Sequence, residues 1–141
     1  MNSAGTRKAY RIKQNEKFSG TAPETAFADL CKANGITAIA QFTLPPLVSF
    51  GETYSITADF RIGSSEVLVE VDGTYHTTKI QIRKSSWRDD LLVQSGYRVF
   101  HCESELLVCH NLGDSKRFWS YVLKALNEFI VSNEEVRYLK A

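Results

Sequence analysis

Asp59, Glu70, Asp72 and His76 stand in or just after two short apolar runs, Ala58-Asp59-Phe60-Arg61-Ile62 and Val67-Leu68-Val69-Glu70-Val71-Asp72-Gly73. Runs saturated with Val, Leu, Ile and Phe favour strand, and a carboxylate inside one is costly unless it turns outward, is paired or binds a metal. Asp59 is the hardest to explain as an ordinary strand residue. Three acids and a histidine at strand ends therefore point to a metal site. Hard divalent cations such as Mg2+ or Mn2+ take carboxylate and carbonyl oxygens, which Asp59 and Glu70 supply. Such an ion makes water nucleophilic and neutralises charge on a phosphodiester under attack. His76, titrating near neutrality, suits general acid or base work, and it suits a plain turn equally.

The elements that must position these groups follow from local pattern. Thr21-Ala22-Pro23-Glu24 has a cap-like residue and a proline at a helix start, then Ala26, Phe27, Leu30 and Cys31 at helical spacing, with Asn34-Gly35 as the stop. Glu24 has a bland reading as a first-turn acid favoured by the helix dipole. Ile36 to Leu44 predicts a strand ending at Pro45-Pro46, and Pro46 to Glu52 a turn. Tyr54–Ile62 and Glu66–Asp72, joined by Gly63-Ser64-Ser65, predict an antiparallel hairpin with Asp59 and Glu70 in register. Asp72-Gly73 also has a plain turn reading. Lys79 to Ser95 predicts a helix stopped by Gly96, Tyr97–Cys102 a buried strand joined to the hairpin by that crossover, and Ser115–Val131 a last helix. Phe118, Trp119, Val122, Leu123, Leu126, Phe129 and Ile130 recur on that helix as a core face.

A chain of 141 residues with net charge +1 suits one domain and is not held to nucleic acid by bulk charge alone. Residues 1–20, with Arg7, Lys8, Arg11, Lys13 and Lys17, read as a flexible basic arm or linker ahead of a unit spanning 21–141. That segment lacks the apolar centre of a secretory signal, and no run approaches the ~20 apolar residues of a membrane span. The chain is accordingly expected to be intracellular, in the cytoplasm. Cys31, Cys102 and Cys109 form no CxxC pair and read as buried free thiols. Lys79, Arg83, Lys84 and Arg88 recur at near-helical spacing after His76, either as a solvated face or as a phosphate-binding one. If they bind phosphates, replacing Arg83 and Lys84 together by Ala flattens the dependence of log affinity for DNA on log salt by roughly 1 to 2 units. An unchanged slope in a salt titration would assign them to the solvated face.

Taken in order, Asp59, Glu70-Val71-Asp72-Gly73, His76, Arg88-Asp89, Leu92 and Gly96-Tyr97-Arg98-Val99 resemble the very-short-patch-repair endonuclease branch of the PD-(D/E)xK nuclease superfamily. They are similar also to the homing endonucleases described by a Glu, Asp, His, Asp signature. The likeness covers about Pro23 to Glu103. It implies a single α/β domain with a mixed central β-sheet flanked by helices, and a metal-dependent endonuclease that hydrolyses DNA phosphodiester bonds. By the same likeness Asp59 is the central metal ligand, with Glu70 or the Val71 carbonyl completing the set. His76 matches the water-activating histidine, Glu24 the helical glutamate, and Asp89 the acid that orients the histidine, with Asp90 competing for that place. The pattern departs at Asp72, which stands where the superfamily has lysine, and the zinc ligands of some repair enzymes are not recognisable. A double-strand break would need two copies, as in a homodimer, or two nicks. The alternatives left open are a nucleic-acid-binding or assembly module without turnover, and a nuclease acting on RNA.

Overall fold

A computed structural model of the chain describes residues 20–73, 79–108 and 116–141, with backbone alone for 79–85. Helix α1 (Ala22–Ala33) starts as its sequence demands: the Thr21 hydroxyl accepts the Glu24 N–H at 3.3 Å, and the Glu24 carboxylate accepts the Thr21 N–H at 3.0 Å. This reciprocal cap satisfies two donors that the first turn leaves without partners. The helix buries Phe27, Leu30 and Cys31.

Strands β1 (Ala38–Thr43), β4 (Thr57–Ile62), β5 (Val67–Asp72), β6 (Arg98–Glu103) and β7 (Val136–Leu139) form a five-stranded sheet in the order β1-β4-β5-β6-β7. The β1–β4 and β4–β5 pairs are antiparallel; β5–β6 and β6–β7 are parallel. Helix α2 (Lys79–Gln94) lies between β5 and β6 in the chain, and α3 (Trp119–Val131) between β6 and β7, as parallel neighbours require. The result is the expected α/β domain, a mixed sheet flanked by helices. One face packs Phe60, Val67, Val69 and Phe100 against Phe27 and Leu30 of α1 and Leu126 and Phe129 of α3. The other packs Ala58, Leu68 and Val99 against Leu91 and Leu92 of α2. Strand alternation assigns Glu70 and Asp72 to the face of Leu68, and His101 to that of Val99.

Two expectations need correction, and one strand had no counterpart in the sequence reading. Pro46–Glu52 is not a simple turn, because β2 (Leu47–Ser49) and β3 (Glu52–Tyr54) form a separate hairpin turning at Phe50-Gly51, with φ of +50° and +78°. Both central residues are left-handed, the geometry that two-residue hairpin turns favour. Tyr54–Ile62 is accordingly not continuous: Ile56, between β3 and β4, is buried with Leu44 and Leu47 under α2. Strand β7 was not foreseen; Val136-Arg137-Tyr138-Leu139 carries little strand signal alone and is held by the otherwise open edge of β6. Among the described residues no helix is long and apolar enough to cross a membrane. Cys31 and Cys102 are buried free thiols, and burial pushes both up to about 12. Residues 1–19, which hold the basic cluster of the arm, and His76, Cys109 and Ser115 lie outside the described residues.

Candidate active site

The β4–β5 ladder pairs Phe60 with Val69 and Arg61 with Leu68 and gives way one step beyond, where Asp59 faces Glu70. There the two carboxylates take over the backbone donors. Glu70 Oε2 accepts the Asp59 N–H at 3.1 Å, and Asp59 Oδ2 accepts the Val71 N–H at 2.8 Å. The expected juxtaposition is met, and each acid is anchored to the opposite strand. Across β4, the register pairs Ala40–Phe60 and Phe42–Ala58 flank Gln41 and Asp59. Ala40 and Phe60 belong to the α1–α3 core, whereas Phe42 and Ala58 belong to the α2 core. Residues two apart in a strand ordinarily share a face. The φ of +52° at Gln41 marks the place where β1 switches faces, a backbone state costing about 1–2 kcal/mol for a non-glycine residue. Asp59 sits at that switch.

Two helices reach the pair from opposite faces. From α1, Glu24 acts on Asp59 electrostatically. Burial, then the Glu70 charge and the charge and hydrogen bond of Glu24, raise the Asp59 carboxyl from 3.8 to about 8 against the lowering effect of the Val71 N–H. From α2, the Arg88 guanidinium forms an ion pair with Glu70 Oε1 and donates to the Thr57 carbonyl at 2.9 Å. Arg88, expected to contact phosphate, is thus seated on Glu70, an acid of the candidate site. Lys79, Arg83 and Lys84 fall on α2, but their side chains lie outside the described set.

Beside this pair lies a second cluster that sequence reasoning missed. His101 of β6 is 3% exposed, and both its ring nitrogens face carboxylates: Nδ1 lies 2.8 Å from Asp72 Oδ2, and Nε2 2.9 Å from both oxygens of Asp89. The Tyr138 hydroxyl donates to Asp89 Oδ2, and its ring stacks on His101 with centroids 4.1 Å apart and 5° between planes. An imidazole with acceptors at both nitrogens is doubly donating and therefore cationic. Burial works to lower the His101 pKa, but hydrogen bonds and charges from Asp72 and Asp89 prevail and raise it to about 9. Asp72, in the place of the superfamily lysine, is therefore charge-compensated by its own histidine. Asp89 is engaged with His101 and Tyr138, and Asp90 is exposed. The available signal was an ionisable residue inside the buried run Val99-Phe100-His101-Cys102, the same signal that singled out Asp59.

Among the described residues, no group of three or more His, Cys, Asp or Glu side chains is arranged to hold a metal ion. The reason is local: Glu70 is engaged by Arg88 through one oxygen and by the Asp59 N–H through the other. Asp59 and Glu24 remain, an oxygen-only pair, and one or two carboxylates are what Mg2+ ordinarily takes from protein. The raised Asp59 pKa reflects burial first and the neighbouring Glu70 charge second, and a bound cation would favour the ionised carboxylate against both. These residues fit a Mg2+-type ion completed by water and substrate oxygens, and do not fit a three-ligand protein cage. Fold and site together define a class: an α/β domain with a half-buried Asp59 and a buried Glu70 side by side, toward the carboxyl end of β5, the end where open α/β sheets bind ligands. No family model, no curated protein and no solved structure matches the chain.

Proposed function

We propose that the chain is a metal-dependent endonuclease domain of the PD-(D/E)xK type, hydrolysing DNA phosphodiester bonds in a homing or repair setting. The observation that carries this reading is the juxtaposition of Asp59 and Glu70 on neighbouring strands, each carboxylate bonded to a backbone N–H of the opposite strand. A Mg2+ or Mn2+ ion bound there would activate water and offset charge on the scissile phosphate. Asp59, with Glu24 from α1, would hold that ion, and in its presence the ionised form of the Asp59 carboxyl would be favoured. Glu70 fixes the backbone of Asp59, and the Asp59 carboxylate fixes that of Val71, so the donor oxygens are held before substrate arrives. His76 would take the proton of the attacking water, and Lys79, Arg83 and Lys84 would contact phosphates. The engagement of Glu70 by Arg88 favours a second reading, a nucleic-acid-binding module without turnover.

Incubating the full chain with supercoiled plasmid in Mg2+, in Mn2+ and in chelator decides between the two. Nicked or linear product in the metals alone is the expected result, and DNA retention without cleavage in either metal selects the binding module. A single-stranded RNA arm reports whether the sugar matters. In the same assay His76→Ala should be slower by ~10²-fold or more, the scale of a lost general base. Mn2+ binding, followed by calorimetry, should persist in that variant; its loss would place His76 in the metal site.

A further inference from the structure

Arg88 is the cation the acidic pair already possesses. Among the described residues its ion pair with Glu70 is the one salt bridge made by either Asp59 or Glu70. The Glu70 side chain is 8% exposed and that of Arg88 31%, so the guanidinium reaches the buried acid from the solvent edge. Its place is independently secured: the next residue, Asp89, is bound to His101 and Tyr138, which ties this turn of α2 to β6 and β7. Arg88 is therefore held over the acids whichever partner its head group takes.

We propose that Arg88 is an exchangeable counter-cation: it neutralises Glu70 while the site lacks a divalent ion, and hands its guanidinium to the DNA phosphate once that ion is bound. The second half rests on the nuclease reading; the first does not. The physical case is electrostatic. The Glu70 side chain is almost wholly removed from water, and among the described residues Arg88 is the counter-charge that compensates it. A divalent ion at Asp59 takes over that neutralisation and repels the guanidinium, weakening its hold on Glu70. The released fork matches a phosphate, which a guanidinium binds through two parallel N–H donors. Cation and arginine thus compete for one charge, and the coupling must be reciprocal: removing Arg88 strengthens divalent binding by the factor with which the ion weakens the pair.

The test is Mn2+ calorimetry on the full chain without DNA. Arg88→Gln, which keeps polar donors but not the charge, should bind Mn2+ roughly tenfold more tightly, within the usual range of coupling between sites. Arg88→Lys should stay near the parent. In plasmid cleavage the order should invert, Arg88→Gln being slowest and Arg88→Lys retaining part of the parent rate. Mn2+ affinity that is unchanged or weaker in a cooperatively melting Arg88→Gln protein overturns the proposal, as does absence of Mn2+ binding in the parent. Tighter Mn2+ binding without DNA cleavage by any variant supports the counter-cation and removes the nuclease. Should Arg88→Gln not fold, the parent labelled with 15N-arginine serves instead. The Nε–H resonance missing from Arg88→Lys should move on addition of Mg2+ and again on addition of short duplex DNA, and a resonance indifferent to Mg2+ overturns the exchange.

Discussion

Asp59→Asn should eliminate plasmid cleavage, by roughly 10³-fold or more, and at the same time make the protein more stable at pH 8. The first effect follows from losing the central anionic oxygen of the proposed metal site, a contribution of several kcal/mol to transition-state stabilisation. The second follows from linkage. The folded-state Asp59 pKa is raised from 3.8 to about 8, so between those values the native chain holds a proton that the unfolded chain has released. Stability therefore falls as pH rises through that window, with a slope approaching about 1.4 kcal/mol per pH unit from this one group. Asparagine keeps an acceptor for the Val71 N–H, bonded at 2.8 Å in the parent, and carries no charge. Urea melts from pH 4 to 9 should show the parent losing ground to the variant up to about pH 8. A variant that nicks DNA at the parental rate removes the site, and parallel stability profiles remove the buried charge.

His101→Ala should destabilise the fold by roughly 3–5 kcal/mol, the scale for removing one partner of a buried charge pair. Without the imidazolium, Asp72 and Asp89 are left facing a hole, and Asp89 is 4% exposed. The sign of the pH dependence is set by the raised His101 pKa of about 9. The stabilising contribution is complete below the ordinary histidine value near 6.5 and is lost as pH rises through 9. The variant should lack that alkaline component. Adding Asp89→Asn to His101→Ala should recover part of the lost stability, since the second change removes the charge that the first left bare. A cost below about 1 kcal/mol with an unchanged alkaline limb would mean that the cluster is hydrated and loosely held.

Local pattern was enough for α1, for the β4–β5 hairpin and for the α2–β6 crossover, because each is encoded by neighbours in the chain. The Thr21–Glu24 cap spans one helical turn, and four residues join β4 to β5, so the meeting of Asp59 and Glu70 needs no knowledge of the rest of the molecule. A role for Glu24 beside those acids was suggested by family likeness alone, since it depends on how α1 packs on the sheet. The β2–β3 hairpin escaped notice because it turns at Phe50, a residue whose type does not announce a left-handed backbone. Strand β7 escaped because its stability comes from a parallel edge on β6, formed from residues more than thirty positions earlier. With β7 unseen, Tyr138 could not be placed beside His101, and with α2 unpacked, Arg88 read as part of a basic helix face and Asp89 as an acid orienting His76. What the sequence by itself determined is which residues are costly to bury, Asp59 and Glu70 above all, and which hairpin brings them together. Which partner offsets each buried charge was decided only by tertiary structure: Arg88 for Glu70, and His101 for Asp72 and Asp89. Desolvation is a property of one residue in its run, whereas compensation requires a second residue delivered by a packing that no local period encodes.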